Sequence, residues 1–118
     1  MGASYKDMVV WQRSIELTVA VYRLTEGFPS SEQFGLTNQL RRAAVSVASN
    51  IAEGYGKSTK GEYLLFLGHA RGSNFEVQTQ LTIAGAMNFG SEKLRRSASA
   101  LSEEVSRMLV SLMSKLRG

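Results

Sequence analysis

The stretch Leu36–Gly56, LTNQLRRAAVSVASNIAEGYG, decides the fold. Leu36, Leu40, Ala43, Val47 and Ile51 recur at the spacing of one helix face. A second face of small residues, Val45, Ala48 and Ala52, lies beside Tyr55. Gln39, Arg42, Ser46, Ser49, Asn50 and Glu53 leave only a narrow polar strip, so protein should surround this helix over most of its circumference. Gly54 and Gly56 mark its end, with glycine expected to close it in the left-handed conformation.

Working outward, the same periodicity gives three more helices. The first is expected from Ser4 to Glu26, opened by a capping box between Ser4 and Asp7, with Val10, Trp11, Ile15, Leu17, Val21, Tyr22 and Leu24 inward. Pro29, the chain's single proline, stops the helical pattern beyond Gly27. The third helix is capped by Thr59 with Glu62, and its seam is Tyr63, Leu67, Ala70, Asn74, Val77, Leu81, Ala84 and Asn88. Gly68 and Gly72 within it suggest a close backbone approach. Gly90 is read as its stop. The fourth helix starts after Ser91, with Leu94, Ala98, Leu101, Val105, Met108, Leu112 and Leu116 as seam. Short connections force antiparallel neighbours, so residues 1–118 are expected to form one all-α domain, an up-down-up-down antiparallel four-helix bundle.

Composition narrows the function. The 118 residues include no cysteine, which removes disulfides and thiolate metal sites. No signal sequence or membrane-spanning run stands out, and a soluble cytoplasmic protein is the default expectation. One histidine, His69, and no Gly-x-Ser-x-Gly elbow leave hydrolytic chemistry without support. GYGKSTKG lacks the spacing of a phosphate loop and reads as a helix–helix turn. Glu53, Glu62 and Glu76 are the carboxylates that could hold a metal, but di-metal bundles use Glu-x-x-His pairs and none is present. No catalytic, cofactor-binding or metal-binding residue is therefore assigned, and no cofactor is expected.

The formal charge is +4, with the surplus in residues 31–61 and 91–118. Bundle topology gathers Arg41, Arg42, Arg95 and Arg96 at one end, and Lys6, Lys57, Lys60, Lys115 and Arg117 at the other. Arg41, Arg42, Lys57, Lys60, Arg95 and Arg96 are the candidates for salt-dependent contact with nucleic acid phosphates, against the alternative of a merely solubilising surface. With the second turn centred near Lys57, Arg42 is level with Ser73 and Glu76, and Ser46 with His69. An Arg42–Glu76 ion pair is expected to fix register, within a polar network of Arg42, Ser46, Asn50, Glu53, Ser73 and Glu76. Val45, Ala48, Ala52 and Tyr55 are the expected subunit interface, with a broadened monomer core as the alternative.

FPSSEQFGLTNQLRRAAVSVASNIAEGYGKST, followed by EYLLFLGHARGSNFEVQTQL, resembles a family of four-helix bundle proteins. Its members were first noticed as products of intervening sequences within bacterial large-subunit rRNA genes, and some carry a ribosomal-protein label. QLRRAAVSV, NIAEG and the ARGS segment with Glu76 carry the resemblance, which extends over nearly the whole chain. Val77 stands where leucine is usual. The resemblance implies a homopentameric ring. The chain is also similar to accessory variability determinant proteins of diversity-generating retroelements, basic pentameric barrels that bind nucleic acid and a reverse transcriptase. Together these imply a non-enzymatic homo-oligomer binding RNA or DNA; the alternative is an interaction scaffold that docks a partner enzyme without touching nucleic acid.

Overall fold

The computed structural model describes residues 4–118, and four helices account for most of them: α1 (Val9–Thr25), α2 (Leu36–Tyr55), α3 (Lys60–Ala86) and α4 (Glu92–Arg117). Two short 3-10 turns, Tyr5–Asp7 and Ser30–Glu32, precede α1 and α2. Among the described residues there is no strand. Each helix packs on its sequence neighbours and α4 closes back on α1, giving a rod of 43 × 24 × 21 Å. Arg41 reaches Thr25 while Thr18 bonds the Ala44 carbonyl, Gly54 approaches Phe66 while Ser46 meets Ser73, and Gly85 approaches Arg95 while Asn74 meets Ser102, so every successive pair is antiparallel.

Local chemistry sets the boundaries. The Ser4/Asp7 capping box forms, but it caps only the 3-10 turn, and Met8 is extended at φ −76°, ψ 125°. The first helix is therefore interrupted before Val9. At the start of α2, Gly35 offers no side chain; the Glu32 carboxylate accepts from the Leu36 amide at 3.0 Å instead. Gly56 closes α2 at φ −82°, so the expected left-handed cap is absent. Thr59 caps α3 as expected, its hydroxyl accepting from the Glu62 amide at 3.1 Å. The stop of α3 is Asn88, not Gly90: at φ 59°, Asn88 takes the left-handed position of a Schellman motif, with Phe89 N–H bonding Ala84 O at 2.8 Å and Asn88 N–H bonding Gly85 O at 3.1 Å. Gly90, at φ 71°, has a different duty. A Cβ there would stand 2.8 Å from Leu24 and 3.0 Å from Phe28, so its absence lets the turn close over the Phe28–Phe89 plug.

The core forms two apolar clusters. One holds Leu17, Val21, Leu24, Leu40, Val77 and Leu81; the other holds Val10, Val47, Ile51, Leu67, Val105 and Leu109. Between them each helix contributes a polar residue: Ser14, Ser46, Asn74 and Ser102. Asn74, fully buried, donates to the Ser102 carbonyl at 2.9 Å and the Ser106 hydroxyl at 3.0 Å, and accepts from the Ser102 hydroxyl at 2.7 Å. These cross-helix bonds favour one α3–α4 register, because a slip would strand Asn74 among apolar side chains.

This layer corrects the expected α4 seam. Ser102, Leu109 and Met113 are buried, whereas Leu101, Met108 and Leu112 are only partly so and Leu94 is exposed. On α1, Ile15 and Tyr22 point outward, 38% and 42% exposed, while Ser14 takes an inward place and bonds the Val10 carbonyl.

Candidate nucleic-acid interface

The α2–α3 turn spans Gly56–Thr59, and its geometry moves the register by several residues from a turn centred at Lys57. Ser46 faces Ser73 (2.8 Å) rather than His69, and Asn50 donates to both the Ser46 carbonyl and hydroxyl. Arg42 and Glu76 line one open hollow of about 450 Å³ with Gln80, but they form no ion pair. Among the described residues the ion pairs are Arg13–Glu16, Arg13–Glu104 and Arg96–Glu92. The expected Arg42–Glu76 register pin is thus replaced by neutral hydroxyl and amide bonds, which escape the cost of desolvating two charges. Glu53 is exposed and makes no side-chain bond to that network.

The six candidate cations divide by how their donors are used. Arg41 is half-buried: its Nε donates to the Thr25 hydroxyl at 2.8 Å, and its guanidinium lies 4.5 Å from the Tyr22 ring centroid. Arg95 donates through one nitrogen to the carbonyls of Phe89 (2.6 Å) and Gly90 (2.8 Å), tying down the α3–α4 turn. Arg96 is bound to Glu92 at 2.7 Å, on an exposed helix turn. Arg42, Lys57 and Lys60 are exposed and unpaired among the described residues, although Lys57 rests 4.8 Å from the Phe66 ring centroid. A guanidinium spent on fold carbonyls has less to offer a phosphate, so these three hold the greater capacity.

The expected subunit face is also divided. Ala48 is only 6% exposed in the single chain, so it offers little of its own surface to a second copy. Ala52 and Tyr55 are half-buried, Tyr55 standing edge-on to Tyr63, and Val45 is exposed. Burial raises the pKa of the Tyr63 phenol, with the nearby Tyr55 adding to the shift. Sequence reasoning missed the outward stripe of Ile15, Val19 and Tyr22, which is 38–42% exposed. Tyr22 and Val45 border one hollow, so the stripe continues onto α2. Its signal was present in the four-three spacing of those three residues, but the broad apolar face of α1 concealed it.

His69 is exposed and edge-on to Phe66. Glu62 is engaged by Thr59, and among the described residues no group of three His, Cys, Asp or Glu side chains converges. No described helix is long and apolar enough to cross a membrane.

A four-helix bundle with a polar mid-layer and basic turns is the class these features define. The chain belongs to the 23S rRNA-intervening sequence protein family, whose model matches residues 6–111. It is similar in fold to a Bacteroides thetaiotaomicron VPI-5482 protein of unknown function from the S23 ribosomal protein family. The TM-score is 0.79 at 20% sequence identity, over 88% of this chain and 97% of the other. No curated protein matches the chain significantly.

Proposed function

We propose that the protein is a non-enzymatic, self-associating helical scaffold that binds RNA or DNA through its cationic surface, without base readout. The observation that carries the reading is the unspent state of Arg42, Lys57 and Lys60 on a chain of net charge +4. Contacts of that kind neutralise phosphates and release counterions, so affinity falls steeply with salt. Fluorescence anisotropy with labelled RNA and DNA from about 50 to about 300 mM salt tests it. Binding that weakens with salt is expected; no binding at the low end rejects the reading.

Self-association, a pentamer by family resemblance, is assigned to the flank of Ile15, Val19, Tyr22 and Val45, where apolar side chains stand exposed in a row. Val19→Glu is expected to dissociate the assembly in light scattering while leaving the helical circular dichroism unchanged. An unaltered oligomer would reject that flank. The same exposed flank supports the second reading, a scaffold for a partner enzyme, which is favoured if a protein stays bound after nuclease treatment and polynucleotide affinity is absent.

A further inference from the structure

The outer groove between α3 and α4 is an open hollow of about 640 Å³. Arg71, Arg107 and Lys115 line it, with Phe75 and Val110 giving it an apolar component. No carboxylate is among its lining residues, and none of the three cations forms an ion pair among the described residues. We infer that this groove is a track for single-stranded nucleic acid, in which Arg71, Arg107 and Lys115 meet phosphates and Phe75 is a stacking platform for a base. The inference rests on the nucleic-acid reading and gives that activity a site.

Three features select this occupant. Arg107, Val110, Ser111, Ser114 and Lys115 recur on one face of α4, and the helix rises ~12 Å between Arg107 and Lys115. That length spans more than one phosphate of a strand. Phe75 is 46% exposed, and the Arg71 guanidinium lies over its ring, 5.2 Å from the centroid, so a base that stacks on Phe75 displaces Arg71 toward a phosphate. Bases in a duplex hide their faces from such a ring, whereas a single strand presents them. Ser106 accepts from Asn74 and from Gln78 at 3.0 and 3.2 Å, and this leaves its own proton to donate. An acidic peptide would satisfy the cations but would make no use of the ring.

The test is anisotropy with short labelled oligouridylate and oligothymidylate, each also presented as a duplex. The combined Arg71→Ala, Arg107→Ala, Lys115→Ala variant should bind single strands at least tenfold more weakly at ~50 mM salt, its log–log salt slope shallower by about 2. Phe75→Ala should cost about fivefold or more on single strands with the slope kept, and leave duplex binding unchanged. Ser111→Glu, an exposed change that keeps every cation and the ring, should reproduce the loss by repulsion. If these variants bind as the parent does while the Arg42→Ala, Lys57→Ala, Lys60→Ala variant loses affinity, the groove assignment fails and the nucleic-acid reading stands. If the parent binds no polynucleotide at low salt, both fail. Polyglutamate binding that matches the oligonucleotides and ignores Phe75→Ala would also overturn the inference, making the groove a site for acidic peptide.

Discussion

Two flanks of the bundle each carry an arginine beside an aromatic ring, and they use it in opposite ways. On the α1–α2 flank Arg41 crosses between helices, covering Tyr22 and donating to Thr25, so its nitrogens bind the fold together. On the α3–α4 flank Arg71 covers Phe75 of its own helix, is exposed, and has no hydrogen-bond acceptor among the described residues. Proximity of cation and ring is common to both. What separates an adhesive arginine from an available one is whether its N–H groups are already satisfied.

The largest expected effect tests a buried position of α2. Ala48→Glu would place a carboxylate at a position 6% exposed, and urea unfolding should show a loss of about 3–5 kcal/mol or outright unfolding. A folded variant of parental stability would return Ala48 to the surface. Next comes the support beneath the second flank. Asn74→Ala removes three side-chain bonds and strands the Ser102 hydroxyl, for an expected loss of about 2–3 kcal/mol by the same measurement.

The arginines themselves give the sharpest contrast. Arg41→Ala should cost about 1–2 kcal/mol, while Arg71→Ala should stay within about 0.5 kcal/mol of the parent. Equal losses would erase the distinction between the flanks. A further small effect has the opposite sign. A Cβ at Gly68 meets nothing within 4 Å, so Gly68→Ala should raise the thermal midpoint, by a stabilisation of about 0.5–1 kcal/mol.

Much of the fold is legible in the sequence because apolar spacing, Thr59, Ser91 and Pro29 act locally, and they determine the helix count and connections. The errors arise where a partner decides. Leu101 and Ser102 both fit the helical spacing between Ala98 and Val105, and apolar character favours Leu101, yet Ser102 is the buried one because Asn74 stands opposite its hydroxyl. Gly68 and Gly72 have the pattern of close-approach glycines, yet both face open space; Gly54 makes the approach, with the Phe66 Cβ 2.9 Å from where its own would be. One chain's pattern shows that a helix is crowded without showing on which turn. The cation candidates suffer similarly: the adjacent pairs Arg41–Arg42 and Arg95–Arg96 draw attention by clustering in sequence, whereas Arg71, Arg107 and Lys115 converge only once α3 lies against α4.

The polar layer at Ser14, Ser46, Asn74 and Ser102 has a consequence for how the rod opens. Apolar packing couples residues along each cluster, but the layer between them is held by directional bonds that one end can keep while the other loosens. Amide hydrogen exchange should therefore resolve two cooperative blocks that meet near Asn74, each with its own opening free energy. A long bundle built in this way can fray at its basic α2–α3 end without surrendering the protection of the other half.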